Sequence, residues 1–318
     1  MSEEPPPIIS VSLNPAVDRI LEVPGLTIGG HVRGRLLEIQ PAGKAVNVAR
    51  ILGTLGMPCI LTGFVGAGER DHFRRSFEKT PVRLEMFEGR EPTRENITLI
   101  DPEQNIETHI RDIGFSLSED ELERLAKKLY ILSTPGAYVV FAGSLPPAME
   151  AHALRKLLAV CRDRQVRLVL DSSGPGLEPL RSGEPLWLVK PNRNELGELV
   201  GLEAASEDQV QTAALALRKH VENVVVTAGE EGAYLFSAEG AWHARPNDDP
   251  AAVVNTVGCG DALLAGFIHA HASGSDLAEC LRCGVAVGTA ATRKVRAGVV
   301  DLADVEACYR RADVSPLG

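Results

Sequence analysis

Tyr138-Val139-Val140-Phe141-Ala142-Gly143-Ser144-Leu145-Pro146-Pro147 carries the pattern that decides the fold. Five β-favouring residues stop at a Gly-Ser turn, and a helix-patterned segment follows to about residue 164. The unit then repeats. Residues 166–170 run into Asp171-Ser172-Ser173-Gly174, and 186–189 into Lys190-Pro191-Asn192-Arg193-Asn194-Glu195. Residues 223–226 run into Thr227-Ala228-Gly229, with Gly232 just beyond. Towards the N-terminus, residues 8–13 end at Asn14-Pro15-Ala16-Val17-Asp18, and 59–65 form another strand. A hairpin near 234–244 and two closing helices complete the chain. Strand, polar turn and helix in this order predict an α/β fold: a mostly parallel sheet with helices on both faces. Ligands of such sheets bind at the C-terminal ends of the strands. One rim therefore collects Asp18, Ser144, Asp171, Lys190, Asn192, Glu195 and Thr227.

Two stretches break the alternation. Residues 20–23 and 31–39 are short strand-like pieces separated by Pro24-Gly25 and Gly29-Gly30. Residues 97–100 and 106–111 flank a turn at 101–105. Both alternate apolar and polar residues, as half-exposed strands do. They predict a small antiparallel β-sheet lid over the rim, built from 19–40 and 92–111. The core would comprise 8–18, 41–91 and 112–318. Between the two excursions, Gly43-Lys44 opens a helix. Asn47 sits on its first turn, where an amide can bond sugar hydroxyls, and Lys44 can approach an anion.

The second informative stretch is Val254-Asn255-Thr256-Val257-Gly258-Cys259-Gly260-Asp261-Ala262-Leu263-Leu264-Ala265-Gly266-Phe267. Two glycines and an acid precede an apolar helix. The N–H groups and positive dipole of a helix start favour an anion. An acid in that place fits a helix cap, or a base that takes a hydroxyl proton while the amides hold a phosphoryl group.

Composition narrows the function. A net charge of −10 over 318 residues argues against a nucleic-acid face. No apolar run approaches the ~20 residues of a membrane span. Residues 1–7 are acidic and proline-rich, which predicts a disordered start with no signal peptide and a cytoplasmic enzyme. The six cysteines are scattered, and Cys280/Cys283 lack the second pair that a zinc site needs, so reduced thiols are expected. Gly43-Lys44 lacks the rest of a P-loop, no G-x-G-x-x-G follows the first strand, and G-x-S-x-G is absent.

The motifs together resemble the phosphofructokinase B branch of the ribokinase-like sugar kinases over about residues 8–300. They are Asn14-Pro15-Ala16-Val17-Asp18, Gly43-Lys44-x-x-Asn47-Val48-Ala49, Thr93-Arg94-x-Asn96 and Gly143-Ser144-Leu145-Pro146-Pro147. Asp171-Ser172-Ser173-Gly174, Lys190-Pro191-Asn192-x-x-Glu195 and Asn255-Thr256-Val257-Gly258-x-Gly260-Asp261 follow in the same order. The resemblance implies ATP and Mg²⁺ as cofactors and a hexose phosphate as substrate: fructose 1-phosphate, fructose 6-phosphate or tagatose 6-phosphate. It implies Asp261 as the base, with Gly258, Cys259 and Gly260 as the anion hole. Asn192 and Glu195 would serve the metal, and Lys190, Asn192, Thr227, Gly229 and Gly232 the nucleotide. Asp18, Gly43, Lys44, Asn47 and Ser144 would face the sugar, and Arg94 its existing phosphate. His109 or Arg111 would be a second basic group on the lid.

The sequence departs from the family's pattern in places. Ala42 and Ala45 stand where the family has glycine, which could stiffen the hinge or narrow the sugar site. Cys259 replaces a common alanine, which adds an oxidisable thiol. A kinase of an unphosphorylated sugar or nucleoside, and a catalytically dead binding regulator, are the competing readings. Open sheet edges on the lid suggest a homodimer.

Overall fold

The computed structural model describes residues 6–317. The expectation of a disordered start falls largely on residues 1–5, outside the described residues. Pro7 already accepts a hydrogen bond from the Tyr138 amide (2.9 Å).

In chain order the strands are β1 (Ile8–Ser12), β2 (Ala16–Glu22), β3 (Arg35–Ala42), β4 (Cys59–Val65), β5 (Val82–Glu88), β6 (Arg94–Asp101) and β7 (Ile106–Arg111). They continue as β8 (Tyr138–Ala142), β9 (Arg167–Asp171), β10 (Leu186–Val189), β11 (Val221–Thr227), β12 (Ala233–Phe236), β13 (Ala241–Arg245) and β14 (Asp313–Pro316). A 10-stranded sheet runs β14-β13-β12-β11-β10-β9-β8-β1-β4-β5. It is parallel from β5 to β11, and β12, β13 and β14 add on antiparallel.

Side chains alternate across this sheet, as the two-residue period of a strand demands. Along β8, Tyr138 and Val140 enter one apolar core, and Val139 and Phe141 enter the other. The first core lies under the helices Lys44–Thr54, Cys259–Ala272 and Leu277–Thr292; the second lies under Glu119–Leu132, Ala151–Arg162 and Glu207–Leu217. Burying Val46, Ile51 and Leu52 on the Lys44–Thr54 helix alone stabilises by about 1.5–3 kcal/mol per side chain. That burial fixes the elements that carry the site. The Cys259–Ala272 helix is buried almost all round, which explains its apolar sequence.

A separate 4-stranded sheet has the order β3-β2-β6-β7. It is not wholly antiparallel as the alternation suggested. β2 pairs antiparallel with β3, and β6 with β7, but β2 and β6 run parallel. The cause is the path of the chain. β6 does not return from β3 through a hairpin but comes after β4 and β5, and so leaves the large sheet alongside β2. β2 starts at Ala16 and β3 ends at Ala42, so Asp18 belongs to the small sheet rather than to the end of β1.

Candidate active site

The Cys259–Ala272 helix starts at Gly258, whose φ of 80° is left-handed and whose place at the N-cap offers no side chain. Asn255 braces the loop: its Oδ1 accepts from the Val257 amide (2.8 Å) and its Nδ2 donates to Val295 O (2.7 Å). Among the described residues, the amides of Gly258, Gly260 and Asp261 donate to no protein acceptor, and Cys259 N reaches Thr256 O only at 3.4 Å. Unpaired N–H groups at a positive helix end can receive an anion.

Asp261 lies in the first turn and is 5% exposed. Asn47 Nδ2 donates to its Oδ2 at 2.8 Å. Burial, and then the charge of Asp171, push its carboxyl up to about 6 against the pull of Lys44, Asn47 and Lys190. Asp171, at the end of β9, is buried between two ammonium groups. Lys44 Nζ lies 2.9 Å from Oδ1, and Lys190 Nζ 3.2 Å from Oδ2. Burial alone would raise Asp171, but Lys190 and Lys44 outweigh it and hold it below the usual carboxylate range. Burial likewise opposes the charge on Lys44, yet Asp171 and Asp261 hold its pKa above the ordinary value. Two acids and two lysines therefore sit in formal balance beneath the helix start.

On one side of the loop a cavity of about 640 Å³ opens between the helix start and the ends of β10 and β11. Asn192, Thr227, Gly229, Gly232, Cys259 and Gly260 line it. Gly232 has φ 91°, and a Cβ there would lie 2.0 Å from Ala244 O, so only glycine fits. Residues 246–253 form another wall, for which the sequence offered no signal. Lys190 is not on this wall; its Nζ lies behind Gly260, 2.9 Å from where a Cβ would stand.

Asn192 and Glu195 form a reciprocal cap on the helix Arg193–Val200. Asn192 Oδ1 accepts from Glu195 N (2.8 Å), and Glu195 Oε2 accepts from Asn192 N (2.9 Å). The cap leaves Glu195 Oε1 without a partner among the described residues and partly open to solvent. One free carboxylate oxygen beside an exposed amide fits a Mg²⁺ ion that keeps most of its waters.

On the other side of the loop, a cavity runs beneath the small sheet. Asp18, Asn96, His109 and Arg111 face Val257 and Ala297 across it. Asn96 Nδ2 donates to Asp18 Oδ1 (2.8 Å). Burial raises the Asp18 pKa, and Asn96, Arg111, Arg94 and Arg50 only partly offset it. The loop Asn255–Gly260 thus divides two cavities; Asp261 follows the loop directly, buried, and lines neither of them.

A profile of the pfkB family carbohydrate kinases matches residues 11–302. The chain belongs to the pfkB family of carbohydrate kinases. It is 31% identical over 312 residues to 1-phosphofructokinase of Vibrio cholerae, covering 98% of this chain and 97% of that one. It is 36% identical over 292 residues to 1-phosphofructokinase of Rhodobacter capsulatus, covering 91% of each. Its structure superposes on phosphofructokinase-2 from Escherichia coli in complex with potassium with a TM-score of 0.90, at 27% identity and over 96% and 99% of the two chains.

Within this pfkB kinase the structure sorts the residues singled out in the sequence. The helix-start loop, Asp261, Lys44, Lys190 and Asn47 converge. Asn192, Thr227, Gly229 and Gly232 share one cavity, and Asp18 lies in the other. Arg94 donates to the carbonyls of Pro15 (3.2 Å), Asp112 (3.0 Å) and Asn14 (3.1 Å), which engages three of its five N–H groups. The basic groups that face the small-sheet cavity are Arg111 and His109. Asn47 is buried with both ends of its amide engaged, not turned to solvent. Ser144 Oγ accepts from Asn14 Nδ2 (3.2 Å), away from both cavities. Gly43 (φ 113°) is the helix N-cap against Pro15. Ala42 and Ala45 are buried, and Ala45 O accepts from Ser10 Oγ (2.8 Å). The surroundings of Cys259 disfavour its thiolate. Burial pushes its thiol up to about 12, and Sγ donates to Asn255 O (3.6 Å). Cys280 and Cys283 are free thiols, and no group of three His, Cys, Asp or Glu residues placed to hold a metal occurs among the described residues.

Proposed function

We propose that this chain transfers the γ-phosphoryl group of ATP to a hydroxyl of a hexose phosphate, with fructose 1-phosphate giving fructose 1,6-bisphosphate as the leading case. The observation that carries the reading is the buried Asp261 carboxylate next to the loop that separates the two cavities, with unpaired amides at the same helix start. ATP occupies the larger cavity with its phosphates towards Gly258–Asp261. The sugar phosphate lies under the small sheet with its anion towards Arg111 and His109, because guanidinium groups bind phosphate with paired N–H donors.

The chemistry follows from this placement. Asp261 accepts the proton of the attacking hydroxyl as the new P–O bond forms and the β–γ bridge bond breaks. The Gly258, Gly260 and Asp261 amides and the Lys190 ammonium stabilise charge on the transferring group. Asp171 holds Lys190 and Lys44 in place. Asn192 and Glu195 would hold Mg²⁺ through its waters, and the ion supplies charge neutralisation on the nucleotide phosphates. EDTA should abolish turnover, and Mg²⁺ should restore it.

Fructose 1-phosphate leads because the relatives named 1-phosphofructokinase reach 36% identity. Fructose 6-phosphate and tagatose 6-phosphate are the second reading, favoured by the likeness to phosphofructokinase-2 in complex with fructose-6-phosphate, with a TM-score of 0.87. An unphosphorylated sugar would bring no anion to Arg111, which faces the cavity. A steady-state panel of these three phosphates, fructose and a nucleoside with ATP decides among them. Turnover of fructose but of no phosphate overturns the reading, as does no turnover at all.

The assembly we propose is a homodimer through the small sheet, which acts as a lid and exposes Leu36, Leu37, Ile39 and Ile110. Analytical ultracentrifugation of Leu37→Glu tests it, with a monomer expected. Among the described residues, no helix is long and apolar enough to cross a membrane. Six free thiols fit a cytoplasmic setting.

A further inference from the structure

We propose that Arg50 is a positioning residue that ties the orientation of the base to the small sheet. The proposal rests on the reading of Asp261 as the base. Asn47 and Arg50 are three residues apart on the Lys44–Thr54 helix and so lie on one face. Asn47 Nδ2 donates to Asp261 Oδ2 (2.8 Å), while its Oδ1 accepts from Arg50 Nη1 (3.4 Å). An amide has one donor end and one acceptor end. A cation on the acceptor end therefore decides which end faces Asp261. Without it the amide can turn and set its oxygen against the carboxylate.

The other arm of the same guanidinium leads to the small sheet. Arg50 Nη2 donates to Pro41 O at 2.6 Å. Pro41 lies in β3 and is paired with Val17 of β2. Gly298 closes the arrangement from the far side: a Cβ there would lie 2.5 Å from Asn47 Oδ1 and 3.0 Å from Arg50 Nη1, at a φ of 72°. Two residues earlier, Arg296 pairs with Glu38 of β3 (2.5 Å). The route runs from a β3 carbonyl through a guanidinium and an amide to the carboxylate. A displacement of β3 withdraws Pro41 O from Arg50 and loosens the Asn47 amide.

The charges around the route come from several elements. Asp261 faces Lys44, Asp171 and Lys190, with Cys259 on its own helix. Arg50 faces Asp18, Arg296 and Glu38, and its guanidinium lies 5.5 Å from the Phe77 ring centroid. The Asn47 bond lowers the proton affinity of Asp261 against its burial. Loss of that bond raises the affinity, and the acid limb of the rate profile moves to higher pH.

The test is kcat against pH for wild type, Arg50→Gln, Arg50→Lys, Asn47→Ala and the Arg50→Gln/Asn47→Ala double variant. ATP Kd and Tm are measured alongside. Arg50→Gln should move the acid limb up by roughly one pH unit with ATP Kd within about twofold. It should add no further shift in the Asn47→Ala background. Arg50→Lys keeps the charge but not the two-armed fork, and should move the limb by less; it carries the test if Arg50→Gln does not fold. Profiles of the Arg50 variants that superimpose on wild type overturn the proposal, as does a shift that adds to that of Asn47→Ala. Asp261→Asn in the same series separates the two levels. Turnover in Asp261→Asn defeats the base assignment, whereas a dead Asp261→Asn with an unmoved Arg50→Gln defeats only the role of Arg50.

Discussion

The two cavities on either side of the loop Asn255–Gly260 are built in opposite ways. The larger cavity, the proposed nucleotide side, is bordered by backbone: helix-start amides, glycines with left-handed φ and a bridge between Asn192 and Thr227, all on the rim of a 10-stranded sheet. The other cavity, the proposed sugar side, presents side chains, Asp18, Asn96, His109 and Arg111, on a 4-stranded sheet. Backbone anchored in two apolar cores cannot adjust, so that side suits the invariant part of the chemistry, a triphosphate and its transfer. Side chains on a thin sheet change easily, so that side suits the choice of sugar. Asp261 belongs to the first by its helix and is linked through Asn47 and Arg50 to Pro41 O of β3, in the small sheet.

The largest test of this contrast lies at Asp261. Asp261→Asn should lower kcat by roughly 100- to 10,000-fold, the range of a general base, with ATP affinity intact by calorimetry. Asp171→Asn should cost about 3 kcal/mol in urea unfolding, because the buried Lys190 and the partly exposed Lys44 lose their counter-ion. Little change in its unfolding midpoint would mean that the lysines find other partners. On the backbone side, Gly232→Ala should raise KM for ATP and leave KM for the sugar phosphate alone; its strain is about 1–3 kcal/mol. On the side-chain side, Arg111→Ala should do the reverse. It should raise KM for the sugar phosphate by roughly 10- to 100-fold, as expected for a charge-assisted contact of about 1.5–3 kcal/mol. A variant on one side that alters both constants breaks the contrast. The smallest effect is expected from Cys259→Ala, with turnover and peroxide sensitivity within about twofold of wild type.

The same difference explains what could be read from the chain. Apolar runs such as 138–142 announce strands buried on both faces, so the large sheet was legible, and the glycine motifs pointed to the loops that line the larger cavity. β14 was not, because Asp313–Pro316 is four residues that pair only on β13. The charge balance at Asp171 was not either. Its partner Lys44 is 127 residues away, and no local pattern marks an ion pair closed by the fold. The contacts of Arg94 were not legible for a related reason. The motif shows an arginine, but which of its N–H groups are spent on the carbonyls of Asn14, Pro15 and Asp112 depends on how β2, β6 and β7 meet.

The most direct measurement of the central claim is the pH dependence of kcat with saturating ATP, Mg²⁺ and fructose 1-phosphate, for wild type and Asp261→Asn. Asp261, lifted to about 6 by burial, must be ionised to accept the proton, so it loses that capacity as it protonates. In wild type, kcat should be level above pH 7 and fall about tenfold per pH unit below about 6. In Asp261→Asn the residual rate should be small and should lack that limb. An acid limb that survives in Asp261→Asn would place the proton on another group and contradict the account.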